Sequence, residues 1–406
     1  MLSVASTRAG LLALCFGNFV IGTGTLIVPG MLPQLAEGLG VSLSYAGLLV
    51  TAFAATVCVG APLLATATTR FDRRMLLTAT LVLYVAGHAA AALVSSYGAM
   101  LAVRIVSSAG AALFTAQAAA AAALLVPPEQ RGRAIALVFL GWSVSSVAGV
   151  PLGAYVGATW GWRSGFALVA LGSALAAIAV WLLVPRGLHV KEADAAMWRA
   201  ILRNRALLAV LAVTALFMAA TFALFCYFVP AAQAFVGASP ALVSGLLALF
   251  GVAAVAGNAV AVRYMDRFGA GNVIVLCLAA MLASQLLWPL TPGSVVLLAA
   301  SVLAAGIGGF AGNSAQQARL VAIAPSHASV SISLNTSAVF LGQGAGAAAA
   351  SVIVAHVPGK EGFAAIPWIG APLLCLAVGL SLFASLRMRT QARSEGRSAH
   401  VQGRAA

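Results

Sequence analysis

Runs of about 20 mostly apolar residues recur through this 406-residue chain, each long enough for a helix to cross roughly 30 Å of hydrocarbon. Twelve are read, at 11–32, 44–67, 75–95, 99–126, 134–157, 164–184, 206–229, 241–262, 272–290, 294–318, 329–355 and 366–386. The chain is 62% hydrophobic and 7% charged, against about half and a quarter in soluble domains. With so few charges to cover a surface, the outside must be covered by lipid. The expectation is an all-α polytopic membrane protein with twelve transmembrane helices. The first run is too long, and too closely followed by a second, for a cleaved signal peptide. Cys15, Cys58, Cys226, Cys277 and Cys375 all fall in runs without metal or redox spacing and read as small buried side chains.

The net charge of +14 raises nucleic acid as a partner, and its distribution removes it. With the N-terminus inside, cytoplasmic segments hold Arg8; Arg70, Arg73 and Arg74; Arg131 and Arg133; Arg186, Lys191, Arg199, Arg203 and Arg205; Arg263 and Arg267; Arg319; and Arg387, Arg389, Arg393, Arg397 and Arg404. Arg163 and Lys360 fall in outer loops and Arg104 within a run. This is a positive-inside pattern. It places both termini in the cytoplasm of a bacterial-type inner membrane.

The longest polar connection, 185–205, divides the runs six and six. The expected organisation is an N-terminal six-helix half at 1–184, a cytoplasmic linker at 185–205, a C-terminal half at 206–386 and a basic tail at 387–406. Arg70-Phe71-Asp72-Arg73-Arg74 follows the second run, and Asp266-Arg267-Phe268-Gly269 follows the eighth, an offset of about 197 residues. Parallel repeats of this kind are a recurrent transporter architecture. Gly149, Gly153 and Gly157 in the fifth run, and Gly342, Gly346 and Ala350 in the eleventh, form four-residue ridges that permit close helix approach. They are read either as ordinary packing or as surfaces sliding against the opposite half.

Gly22-Thr23, Gly30-Met31-Leu32-Pro33, Gly47-Leu48-Leu49-Val50-Thr51, Gly60-Ala61-Pro62-Leu63 and Arg104 with Gly110-Ala111-Ala112 stand in an order that carries a resemblance. So do Arg131-Gly132-Arg133-Ala134, Gly149-Val150-Pro151-Leu152-Gly153, Gly161-Trp162-Arg163, Asp266-Arg267-Phe268-Gly269 and Leu334-Asn335 with Gly342-Gln343. Together they resemble the major facilitator superfamily, in its twelve-span drug:proton antiporter branch of the chloramphenicol-resistance and sugar-efflux type. The resemblance implies alternating access around a cavity lined by the first, fourth, seventh and tenth spans. Candidate lining residues are then Asn18, Thr23, Thr25, Arg104, Gln117, Tyr227, Asn313 and Gln316, each of which could instead be an interhelical hydrogen-bond partner. The resemblance implies a gate carboxylate after span two. Thr69 stands there, and Asp72, three residues on, takes that role if the helix continues. The second copy keeps Asp266, with Arg267 and Gly269. Arg70, Arg73 and Arg74 complete the first copy, and Gly149, Pro151 and Gly153 match the antiporter motif, a hinge lacking one helix hydrogen bond.

All eight acids, Glu37, Asp72, Glu129, Glu192, Asp194, Asp266, Glu361 and Glu395, fall outside the runs. Gly24 and Thr25 occupy the stretch where many relatives carry an intramembrane acid. Arg104 is therefore read as the only charge in a run, costly unless solvated. It serves as a proton relay, as a site for an anionic or strongly hydrogen-bonding solute, or as a structural tie to carbonyls. His88 is the remaining proton-coupling candidate, with neutral packing as its alternative. The function expected is secondary efflux of a small neutral or anionic organic solute, drug, sugar or metabolite, with proton coupling. Uncoupled facilitation or import remains open. The chain offers no catalytic constellation, channel filter or nucleotide loop. It is read as a non-enzyme without cofactor or metal, working as a monomer, whose partners are a small solute, the bilayer and protons.

Overall fold

In the computed structural model, residues 4–189, 204–324 and 328–385 are described, and among them only helices, turns and loops occur. The side chains of Ala65, Asp266 and residues 4–6, 328 and 329 lie outside the described set, as do most of the expected linker and the basic tail.

Among the described residues, twelve helices are long and apolar enough to cross a membrane: α1 Thr7–Gly30, α2 Leu43–Leu64, α3 Arg73–Leu93, α4 Tyr97–Leu124, α5 Pro128–Trp160, α6 Trp162–Leu183, α7 Arg205–Cys226, α8 Pro240–Met265, α9 Ala270–Leu290, α10 Val295–Ile323, α11 Val330–His356 and α12 Gly359–Ser385. The seventh expected run, 206–229, is broken at Tyr227, where a short helix Phe228–Val236 begins. Its counterpart after α1 is Leu32–Gly38.

Serine fixes where four of these helices begin. The side chains of Ser42, Ser96, Ser239 and Ser294 accept the amides of Tyr45, Ala99, Leu242 and Leu297, each at 3.3 Å. These N-caps open α2, α4, α8 and α10, all at the end of the bundle away from the basic turns, and each is worth about 1 kcal/mol. Ser42 and Ser239 are 197 positions apart and Ser96 and Ser294 nearly so, so the repeat extends to the caps.

The helices form two six-helix halves. α1 packs on α5 and α6, and α3 on α4 and α6; in the other half α7 packs on α11, and α10 on α8 and α9. The halves meet where α2 lies along α11 and α8 along α5. Across this seam Thr51 Oγ1 donates to Gly344 O at 3.2 Å, Ser337 Oγ to Cys58 O at 3.0 Å and Ser244 Oγ to Pro151 O at 3.0 Å.

The glycine ridges do not face the seam. A Cβ on Gly149 would overlap Thr23 Oγ1, one on Gly153 would lie 3.2 Å from Ile27, and one on Gly157 would overlap the Met31 sulfur. Gly342 and Gly346 similarly abut the α7 backbone at Ala215 and Ala219. The ridges bind α5 to α1 and α11 to α7 within each half, which corrects the sliding-surface expectation. The seam instead uses Gly344, where an added Cβ would lie 3.2 Å from Ala54 Cβ, and Gly251, where one would overlap the Ser146 carbonyl. Before Pro151, α5 makes one π-helical turn over Ser145–Gly149, with Val150 N–H reaching Ser145 O. That turn accommodates the proline's missing N–H and ring within a continuing helix.

Candidate functional site

Three helices of the N-terminal half converge on a buried cluster at Gly24 of α1. Arg104, seven residues into α4 and so about 10 Å along it, is 1% exposed. Its Nη1 donates to Gly24 O at 3.3 Å, and its guanidinium lies 4.3 Å from the Phe53 ring centroid. The Nε and Nη2 atoms, the side-on edge that grips carboxylates and carbonyls, have no acceptor.

His88 of α3 is also 1% exposed. Its ring sits 4.1 Å from that of Tyr84, whose hydroxyl donates to Ile21 O at 3.1 Å. His88 Nδ1 lies 2.9 Å from Tyr84 O. A carbonyl only accepts, so the neutral tautomer with its proton on Nδ1 satisfies this contact, and Nε2, which makes no well-formed hydrogen bond but lies toward the Gly24 backbone, then presents its lone pair. Glycine at 24 makes this arrangement possible. A Cβ there would stand 2.6 Å from Tyr84 Oη and 2.7 Å from His88 Nε2. His88 packs against α1 at Gly24 and against Phe166 of α6, its ring 5.9 Å from that of Phe166.

Nearer the middle of the bundle each half carries a three-helix polar knot. Trp142 Nε1 donates to Thr115 Oγ1 at 3.1 Å, Thr115 to Asn18 Oδ1 at 2.9 Å and Asn18 Nδ2 to Val138 O at 3.0 Å. In the second half Thr214 Oγ1 donates to Asn335 Oδ1, and Asn335 Nδ2 to Asn313 Oδ1, both at 2.9 Å. At the 197-residue offset Val138 aligns with Asn335, while Asn18 and Thr115 fall one position from Thr214 and Asn313. Gln316 extends the second knot through Nε2 to Val210 O at 2.7 Å. Thr23 Oγ1 bonds its own helix at Phe19 O and lies 3.2 Å from Ser145 Oγ. Thr25 bonds Ile21 O, and Gln117 is buried on α4.

The remaining sequence candidates lie at the two ends. Tyr227, fully buried, donates to Ser351 Oγ at 2.7 Å and crosses the seam onto Gly47, where a Cβ would overlap its hydroxyl. With Leu32–Gly38 touching Phe228–Val236, this seals the end opposite the basic turns. At the basic end the helix that contains α2 runs past the span and stops at Ala67, so Asp72 does not extend it. Asp72 instead caps α3 through Met75 N at 3.2 Å and accepts the amides of Gly187 and Leu188 after α6. Arg70 lies in the turn. Arg73 donates to Thr68 O and Thr69 O, and Arg74 stacks 4.4 Å over Trp181. In the second copy Arg267 covers Phe268 and Gly269 turns at φ 77° into α9. The side chain of Asp266 is outside the described set.

Two readings are corrected. Glu129 and Glu361 enter the first turns of α5 and α12, although no carboxylate goes deeper among the described residues. Arg104 is not the only cation inside a span: Arg319, expected in a loop, is 2% exposed within α10. Sequence reading also missed Tyr84, Thr115, Trp142 and Thr214. The 197-residue alignment carried a signal for Thr214, which falls one position from Asn18.

The sequence profile of the Major Facilitator Superfamily matches residues 14–236 and 211–405, and the chain belongs to that family. It is a multi-pass membrane transporter of small molecules, not an enzyme. It is 30% identical to the inner membrane transport protein YdhP of Escherichia coli (strain K12), over 94% of this chain and 97% of that protein. It is 33% identical to a chloramphenicol resistance protein of Streptomyces lividans, over 84% and 88% respectively. Its fold matches a bacterial homologue of the human lysosomal transporter Spinster, captured inward-facing and unoccupied, with TM-score 0.76 at 18% identity over 95% and 98% of the two chains. A D-xylose–proton symporter matches with TM-score 0.72 at 19% identity, over 93% and 97%.

Proposed function

We propose that this protein is an inner-membrane secondary efflux carrier that exchanges protons for a small neutral or anionic organic solute by alternating access. The basic turns and both termini face the cytoplasm, and the linker at 185–205 couples two half-domains. The observation that carries this reading is the cluster at Gly24: a free guanidinium edge on Arg104 beside a free lone pair on His88, with no carboxylate among their partners.

The chemistry of those two edges gives a coupling rule. Arg104 Nε–H and Nη2–H take an acceptor on the solute, a carbonyl, nitro or carboxylate oxygen. His88 Nε2 has one lone pair, which accepts either a hydroxyl or amide N–H of the solute or a proton. The two occupants exclude each other, and mutual exclusion at one seat is what exchange requires. A neutral solute with adjacent acceptor and donor fits this best. An anionic solute would reduce the repulsion between Arg104 and a protonated His88 and so weaken the exclusion. The two polar knots are proposed to line the path with Asn18, Thr23, Thr25, Gln117, Asn313 and Gln316. Tyr227 closes the outer end, Gly149, Pro151 and Gly153 give α5 its hinge, and Arg70, Asp72, Arg73, Arg74, Asp266, Arg267 and Gly269 frame the cytoplasmic gate. The chloramphenicol resistance protein among its relatives supports export as the direction.

The test is purified protein in liposomes holding a pH-sensitive dye, with chloramphenicol and simple sugars as first solutes. Solute-dependent proton movement in the wild type, lost in both Arg104→Ala and His88→Ala, supports the proposal. Solute flux without proton movement, unchanged in His88→Ala, refutes the coupling and leaves an uncoupled facilitator.

A further inference from the structure

Arg319 is a buried cation deep at the basic end, 2% exposed, to which the proposed transport cycle gives no role. It sits near the basic end of α10, where its Nη1 donates to Gln316 Oε1 at 3.1 Å and Ser381 Oγ at 3.0 Å. The other edge is poorly served: Nη2 reaches Ser381 O and Ser385 Oγ only at 3.3 Å, and Nε has no acceptor. Every partner among the described residues is a neutral oxygen, so within that set the charge is buried without a counter-ion, which is costly.

Beside it opens a cavity of about 240 Å³, several times the roughly 30 Å³ that one water occupies in the liquid. Arg319 forms one wall and Ser385 of α12 another. The third wall is the start of α9: Gly269, Ala270, Gly271 and Asn272. No side chain caps that helix. The amides of Asn272 and Val273 turn back to Gly269 O, while those of Ala270 and Gly271 donate to no backbone carbonyl among the described residues. A helix N-terminus carries partial positive charge on such amides. Gly271 has no side chain to intrude; a Cβ there would stand 3.0 Å from Ser385 Oγ.

We infer that this cavity is an anion site for a phosphate group, taken by Arg319 Nε–H and the Ala270 and Gly271 amides, with Arg319 Nη2 giving up a 3.3 Å bond and the Ser385 hydroxyl turning its proton from Ser381 O to the anion. A tetrahedral oxyanion suits a guanidinium edge facing helix amides. The site lies at the basic end of the bundle, away from the Gly24 cluster; it shares Gly269 with the proposed cytoplasmic gate and reaches Gln316 through Arg319, but the inference does not need the solute or proton coupling proposed above. The phosphate can come from a phospholipid headgroup of the adjacent leaflet or from a soluble phosphate, two sources with the same recognition chemistry.

The experiment measures thermal unfolding of the full chain in phosphatidylcholine nanodiscs, with inorganic phosphate titrated against chloride at matched ionic strength, and separately with phosphatidylglycerol added to the bilayer. The expected result is stabilisation by phosphate or by phosphatidylglycerol, with apparent affinity falling roughly tenfold in Arg319→Gln, where a charge-assisted contact is lost. Gly271→Ala, which crowds the cavity but keeps Arg319 and its bonds, and Ser385→Ala give the same loss if Arg319→Gln does not fold. A response to both additives supports the site and leaves it open to either source. Stabilisation by phosphate alone assigns a soluble anion, and by phosphatidylglycerol alone a lipid. Stabilisation by neither, or stabilisation that survives both Gly271→Ala and Ser385→Ala, overturns the inference.

Discussion

Replacing Gly47 with alanine should open the sealed end of this carrier. The new methyl would overlap Tyr227 Oη and stand 2.9 Å from Ser351 Oγ, while those two oxygens hold each other at 2.7 Å. Tyr227 is fully buried, so its hydroxyl cannot swing aside without giving up that bond. Overpacking at such a site costs about 1–3 kcal/mol. The cost falls only on the state in which α2 meets Tyr227, so it biases the equilibrium toward the state with that end apart by about 5- to 150-fold. Spin labels at Glu37→Cys and Ala234→Cys, in a background without the native cysteines, would read it. They sit on the short helices that touch across this end. Gly47→Ala should add a longer distance population, and Tyr227→Phe in the same chain, which removes the clashing oxygen, should reduce it. A distance distribution unchanged by Gly47→Ala would show that this contact does not hold the end closed.

Other substitutions follow from the same geometry. Arg104→Leu removes a buried charge with one protein hydrogen bond, so the melting temperature should rise by roughly 2–4 °C while solute-driven proton movement disappears. Asn335→Ala breaks the bonds to Thr214 and Asn313 and should cost about 1 kcal/mol, since such contacts average about 0.6 kcal/mol in membranes; denaturant titration in mild detergent would measure it. Gly346→Ala meets the rigid Ala219 carbonyl and should destabilise by about 3 kcal/mol. Gly153→Ala, facing only the movable Ile27 side chain at 3.2 Å, should cost under about 1 kcal/mol. Equal losses in those two variants, by the same titration, would contradict the ridge assignment.

The twelve spans were legible because hydrocarbon demands length and apolarity together, a signal each segment carries alone. Ends were less so: the third span was read from 75 but begins at Arg73, because an arginine whose head bonds Thr68 and Thr69 carbonyls can sit in a first turn. Arg319 was missed for a related reason. The run Asn313-Ser314-Ala315-Gln316-Gln317-Ala318-Arg319 reads as an exit to water, yet Val210, Thr214, Ser381 and Ser385 from other helices supply its partners. The ridge spacing identified one face of each glycine helix correctly but not its neighbour, since spacing says nothing about which helix comes opposite. At Gly24 the missing acid was visible in the sequence. That Tyr84, His88 and Arg104 close around the gap depends on packing among three helices.

The placement of the glycine ridges bears on how such a chain can change over generations. A substitution on Gly149 or Gly346 can be compensated only by α1 or α7 of the same half, so each half can accumulate its own repairs and drift from its duplicate. Gly47 and Tyr227, Gly251 and Ser146, Gly344 and Ala54 are different. They oblige two distant stretches of one gene to vary together, and it is there that ancestry should leave paired changes.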